Sequence, residues 1–175
     1  YNLYLNSFSQ GEFSINAEKA ISGLNKKEAK KNYLKGRNFA DKGDYKEAFK
    51  WYKKAADQNG ADGLNGLGYL YMEGLGVTQN YKTAKYLFTK SANKGSSKAK
   101  VSLGYLYHYG KGVTQSYETA IKWYKKAANE NWVSGQWNMG VMYKNGYGVA
   151  ANINTARYWW KKACDNGLEK ACVRL

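Results

Sequence analysis

Proline is absent from this chain of 175 residues, so no helix has to break around a ring that lacks an N–H. Other scarcities are as telling. There is one histidine, His108, there are two cysteines, Cys164 and Cys172, and 13 acidic residues stand against 28 lysines and arginines. Without a second cysteine pair or a nearby histidine, no zinc ligand set is completed, and neither metal nor cofactor is expected. Catalysis of the Ser-His-acid or Cys-His kind would have to run through His108. No nucleophile elbow or acid pair accompanies it, and a surface or groove histidine at a helix end is the plainer reading. No apolar run reaches the ~18 residues that suggest a membrane-crossing helix. The chain starts at Tyr1 rather than at a methionine, which fits either a removed leader or a trimmed start, and both stay open.

What the chain does have is an echo. Leu67-Gly68, Leu103-Gly104 and Met139-Gly140 recur at an interval of 36 residues, as do Tyr71, Tyr107 and Tyr143. The turns Gly74-Leu75-Gly76-Val77, Gly110-Lys111-Gly112-Val113 and Gly146-Tyr147-Gly148-Val149 keep the same register. So do Ala48, Ala84, Ala120 and Ala156, each followed by Trp51-Tyr52, Leu87-Phe88, Trp123-Tyr124 or Trp159-Trp160. A fixed period of this size means stacked supersecondary units, none able to bury its apolar face alone. With 43% hydrophobic and 16% aromatic residues, the chain can fill the seams between units and build a packed core despite a mean hydropathy of -0.73.

Each unit reads as two helices. Between Ala61 and Glu73, the spacing of Leu64, Leu67, Leu70 and Tyr71 is helical, and Gly68 lets a neighbouring helix come close. The Gly-x-Gly-Val turn stops that helix, because glycine takes the left-handed conformation a helix end requires. Asp44, Asn80, Ser116 and Asn152 are N-caps for the second helices, their side-chain oxygens accepting from free first-turn amides. Alternation of period two is missing, so strands are not expected. The fold class is therefore all-α, a right-handed α/α solenoid. Its repeats run 29–60, 61–96, 97–132 and 133–168, with a capping half-repeat at 169–175. The first repeat lacks four residues of the glycine turn, which gives it the shorter spacing of a tetratricopeptide unit. Residues 1–28 are expected to form an N-terminal arm and a short helix. Leu3, Leu5, Phe8, Phe13 and Ile15 either pack on the first repeat or belong to a partly ordered terminus.

The pattern Leu-Gly-x-x-Tyr, Gly-x-Gly-Val, Ala-x-x-Trp-Tyr-x-Lys-Ala-Ala resembles the Sel-one-like repeat family, a branch of the tetratricopeptide-like α/α repeats. The resemblance covers residues 29–175. The segment from Lys161 to Cys172 is similar to the cysteine-rich repeat proteins of Helicobacter, in which every repeat carries such a cysteine pair. Here Ala56, Ala92 and Ala128 stand where the other first cysteines would be. In one continuous helix, Cys164 and Cys172 would be ~12 Å apart, too far to bridge. If Asn166-Gly167 turns the chain, they can meet, and a disulfide would staple the half-repeat to the helix before it. The alternative is two buried thiols in a reducing cell. A disulfide would imply an oxidising compartment, hence a periplasmic or secreted bacterial protein.

Two surfaces remain for function. Lys54, Lys90, Lys126 and Lys162, with Lys53, Lys125 and Lys161 beside them, form a basic stripe on the outer wall of second helices, most simply a solvated face. The net charge of +15 suits an acidic protein, an anionic membrane surface or nucleic acid. A disulfide compartment argues against the last. The concave wall is lined by first helices. Offsets −6, −3, +1, +4 and +5 from the key glycine point there to Tyr33 and Arg37, then Tyr69, Met72 and Glu73. The later units offer Tyr105, His108, Tyr109, Trp137 and Lys144. Aromatics amid mixed charge are the anchors that protein interfaces enrich. The resemblance implies adaptor, regulatory or inhibitory roles. The expected function is thus a non-catalytic, monomeric binder of a protein or peptide, acidic in character, one form being an immunity-type protein that blocks a toxin enzyme. A cell-wall ligand-binding protein or hydrolase, as discussed for the cysteine-rich relatives, is the alternative.

Overall fold

The computed structural model describes residues 2–175, with side chains from Glu18 onward. Nine helices follow one another among these residues: α1 (Asn2–Asp41), α2 (Tyr45–Asp57), α3 (Ala61–Glu73), α4 (Tyr81–Asn93), α5 (Ser97–Tyr109), α6 (Tyr117–Asn129), α7 (Val133–Asn145), α8 (Ile153–Asp165) and α9 (Glu169–Cys172). They pair as α1/α2, α3/α4, α5/α6 and α7/α8, and each pair packs on the next. This is the expected all-α right-handed solenoid of repeated helix pairs.

The local signals act as their chemistry requires. Asp44, Asn80, Ser116 and Asn152 each accept a hydrogen bond from the backbone N–H three residues on, at 2.9–3.1 Å. Gly110 ends α5 in the left-handed region at φ 67°, its N–H returning to the Leu106 carbonyl. The second turn glycine does different work. Gly112, at φ 69°, lies so near Tyr81 that an added Cβ would stand 2.4 Å from the Tyr81 Cβ. Each Gly-x-Gly turn thus seats on the start of the previous repeat's second helix and couples the units.

Glycines inside the first helices solve a packing problem. An aromatic ring from the second helix of the same repeat lies against each: Tyr52 on Gly36, Phe88 on Gly68, Tyr124 on Gly104 and Trp160 on Gly140. The core straddles the repeat boundaries. One cluster joins Met72 of α3, Ala84 and Phe88 of α4, and Leu103 and Leu106 of α5. The next joins Ala120 and Tyr124 of α6, Met139 and Met142 of α7, and Trp159 of α8. Full burial of a side chain such as Phe88 stabilises by about 1.5–3 kcal/mol, and the share contributed by Leu103 and Leu106 needs the neighbouring repeat in place.

The two ends differ. An arm followed by a short helix is expected for 1–28, but the backbone of α1 is one helix from Asn2 to Asp41. Residues 18–28 are exposed throughout, and Ala29 is the first buried position. The expected packing of Leu3, Leu5, Phe8, Phe13 and Ile15 lies outside the described side chains. At the other end, Gly167 turns the chain at φ 91°, and Cys164 and Cys172 are joined by a disulfide with Cα atoms 4.9 Å apart. That decides between the bridge and two free thiols. It holds the four-residue α9 on α8, with Ala171 fully buried between them.

Candidate functional site

First helices α1 and α3 abut, as do α5 and α7, and the faces of the first helices turned away from the second helices line the inner wall. Solvent reaches offsets −6, +1 and +5 from the key glycine in each unit, and offset −2 in all but α3. In α1 these are Lys30, Leu34, Arg37 and Asp41, and in α3 they are Asp62, Gly66, Tyr69 and Glu73, with Gly66 closed over by Tyr52. In α5 they are Lys98, Ser102, Tyr105 and Tyr109, and in α7 Ser134, Asn138, Val141 and Asn145.

The expected partner-binding residues divide accordingly. Arg37, Tyr69, Glu73, Tyr109 and Lys144 are exposed, Tyr69 by 47% and Tyr109 by 57%. Tyr105 and Trp137 are half-buried, and so is Tyr33, which stacks on Tyr52 with centroids 5.6 Å apart. Met72 and His108 must be corrected: only 7% and 9% of each is exposed, and both belong to the interior between repeats. At about 100° per residue, offsets −3 and +4 lie only about 60° and 40° from the glycine that faces the second helix. Offsets −6, −2, +1 and +5 lie about 100–160° away and face water. The −2 position, with Leu34, Ser102 and Asn138, was therefore missed. So were Lys111 in a turn and Lys170 in α9, whose reach across a seam no helical spacing announces.

Rings and cations organise the middle of this wall. Tyr109 lies 4.4 Å from the His108 ring and 4.6 Å from that of Tyr105, centroid to centroid. His108 also meets Tyr117, Tyr124 and Tyr147, mostly edge to face, and burial lowers its affinity for a proton. The Tyr105 side chain raises the pKa of the Lys111 ammonium beside it. That ammonium lies 5.1 Å from the Tyr105 ring and 5.6 Å from that of Tyr81. Burial, with Glu73, Tyr45 and Tyr105 close by, raises the pKa of the Tyr69 phenol. Farther along, Trp137 packs against Trp160, centroids 5.8 Å apart, and Lys170 stands 4.6 Å above the Trp137 ring.

The outer face is built differently. Lys54 covers Trp51, Lys90 covers Tyr86, Lys126 covers Trp123, and Lys162 covers Tyr158 and Trp159, at 4.4–5.4 Å. Lys53 pairs with Asp57 and Lys161 with Asp165. These cations are engaged by neighbours one helical turn away, as a solvated face would be. Among the described residues no cluster of three metal-ligating side chains occurs, and no helix is long and apolar enough to cross a membrane.

The Sel1 repeat family model matches residues 29–60, 61–96, 97–132 and 133–168. The chain belongs to this family, whose members are generally protein-interaction scaffolds, typically without catalytic activity. Among solved structures, a Sel1 repeat protein from Oxalobacter formigenes is 32% identical at a TM-score of 0.72, over 80% of this chain and 56% of that one. A protective antigen present in uropathogenic Escherichia coli strains is 34% identical at a TM-score of 0.73, over 89% of this chain and 33% of that one. The cysteine-rich protein B of Helicobacter pylori is 29% identical at a TM-score of 0.59, over 74% of this chain and 93% of its own length. The chain thus spans about half and a third of the lengths of the first two. No curated protein matches it.

Proposed function

We propose that this chain is a non-catalytic scaffold that captures an acidic protein partner on its inner wall, acting outside the cytoplasm as an adaptor or inhibitor. One observation carries the reading: exposed or half-exposed tyrosines, Tyr69, Tyr105 and Tyr109, stand on consecutive first helices, and Tyr109 is braced by ring contacts with Tyr105 and His108. Rigid aromatics of this kind lose little conformational freedom on binding and serve as anchors. The excess of 28 basic over 13 acidic residues favours encounter with an acidic surface. His108, enclosed by tyrosine rings, serves packing rather than proton transfer. The disulfide and the likeness to a protective antigen support a compartment outside the cytoplasm. An immunity-type role, occluding a secreted toxin enzyme, is one form such capture takes.

The test is retention of a partner from the native organism by parent and variant proteins. Tyr69→Ala and Tyr109→Ala should each weaken retention by about 1–2 kcal/mol, the scale of an aromatic anchor. Lys126→Glu with Lys162→Glu, on the outer face, should mainly slow association and reduce its salt sensitivity. If the inner variants retain the partner like the parent while the outer pair loses it, the site is on the outer wall.

A further inference from the structure

We propose that Lys111 and the tyrosines around it form a carboxylate subsite, which takes an aspartate or glutamate from an extended acidic segment of the protein partner. The inference rests on the inner-wall reading above and names what that wall recognises. Lys111 occupies the middle of the Gly110-Lys111-Gly112 turn, where the neighbouring repeats carry Leu75 and Tyr147. Only one of the three glycine turns therefore offers a cation. That ammonium is held between two rings, 5.1 Å from the centroid of Tyr105 and 5.6 Å from that of Tyr81. Among the described residues it makes no ion pair, whereas Lys50, Lys53, Lys100 and Lys161 each hold a carboxylate. A lysine already ordered and still unpaired gives up less side-chain freedom when an anion arrives.

The surroundings define the ligand further. Tyr109, stacked on His108 and tilted against Tyr105, and the neighbouring Tyr69 offer exposed ring surface to the residues on either side of the bound carboxylate. Glu73 stands near enough to influence both Tyr69 and Lys111. A dense polyanion would be repelled there, whereas carboxylates spaced along a peptide with apolar residues between them fit. A single ammonium also matches one carboxylate better than a phosphate, which favours several donors. Charge along the wall sets a direction. Repeat 61–96 exposes Asp62 and Glu73, while the inner faces of the next two repeats expose Lys98 and Lys144 with no carboxylate at the four solvent-facing offsets, and Lys170 follows. The acid-rich end of the segment should point toward α9.

The probe is a fluorescein-labelled peptide with glutamate at every third position among leucine and serine, and a counterpart carrying glutamine instead. By fluorescence anisotropy, Lys111→Met should weaken the glutamate peptide at least about fivefold. Lys126→Met, which removes the same charge from the outer face, should change it less than about twofold. The glutamine peptide should bind more weakly and no longer distinguish Lys111→Met from the parent. Circular dichroism should show parent-like helix content in each variant, and Lys111→Gln provides a second surface substitution with the same expectation. Equal weakening by Lys111→Met and Lys126→Met would reduce the effect to net charge and overturn the subsite, as would no binding of the glutamate peptide. Binding that depends on Tyr69 and Tyr109 but not on Lys111 would keep the inner wall and discard the subsite. Peptide binding indifferent to all three residues would count against the inner wall itself.

Discussion

Substituting Gly104→Ala tests the packing scheme at one of its tightest glycine–ring contacts. A Cβ on Gly104 would lie 2.4, 2.5 and 3.0 Å from three ring atoms of Tyr124. The ring has nowhere to retreat, because Tyr124 is 2% exposed and is fixed among Ala120, Met139 and Met142. Overpacking of this kind costs about 1–3 kcal/mol, and a contact this short belongs at the upper end. Alanine returns up to about 1 kcal/mol of helix propensity over glycine. The net loss is then about 2 kcal/mol, or a fall in Tm of about 4–8 °C for a chain of this size. Gly23→Ala is the matched control, since it is also helical but has nothing within 4 Å of the new Cβ; it should be neutral or slightly stabilising. Urea and thermal melts followed by circular dichroism would measure both. In a Tyr124→Leu background, the cost of Gly104→Ala should drop by at least ~1 kcal/mol, because the ring it strikes is gone. A Gly104→Ala protein as stable as the parent, or equal costs in both backgrounds, would refute the reasoning.

Three further outcomes are expected. Reducing the Cys164–Cys172 bridge, which spans a sequence separation of 8, should remove ~2.5 kcal/mol of chain-entropy stabilisation; hydrogen exchange should accelerate in 168–175 while 61–132 keep their protection, and uniform acceleration would count against a local staple. Burial holds His108 below the ordinary imidazole value of 6.5, so the unfolded chain takes up the proton first and stability should fall as pH drops below 6.5, levelling off beneath the lower folded value. His108→Phe should flatten that limb of the urea midpoint against pH, and an unchanged limb would contradict the assignment. Lys100, nearly buried, pairs with Glu130, which also accepts from Ser97 Oγ at 2.6 Å, and these partners hold the Glu130 carboxyl below its ordinary 4.5. The contribution of that pair should be present above 4.5 and lost as pH falls through the lower folded value. Glu130→Ala should cost about 1–3 kcal/mol by stranding a buried ammonium, and the double variant Lys100→Met, Glu130→Ala should recover part of that, as measured by urea melts.

Which parts of this protein were legible in its sequence follows from the range of the interactions involved. Asp44, Asn80, Ser116 and Asn152 cap the second helices because a capping oxygen meets an amide three residues on, a relation written in one dimension. The turn glycines and the glycine-aromatic pairs recur with the period, so the echo alone determined the helix pairs, their order and the solenoid. The cysteine spacing allowed a bridge or two thiols, and only the turn at Gly167 brought the pair together. Tertiary packing also decided the working surface. Offsets −3 and +4 sit on the flank of the helix, and whether a flank is wet depends on how closely the next repeat approaches. Met72 and His108 were covered by that approach, while Tyr69 and Tyr109 stayed in water. Likewise, the continuity of α1 through residues 18–28 follows no apolar spacing, since those residues stay exposed. Lys111 and Lys170 reach rings on neighbouring helices. A flexible side chain crossing a seam has no period to betray it, because its position is set by the stacked units rather than by its own helix.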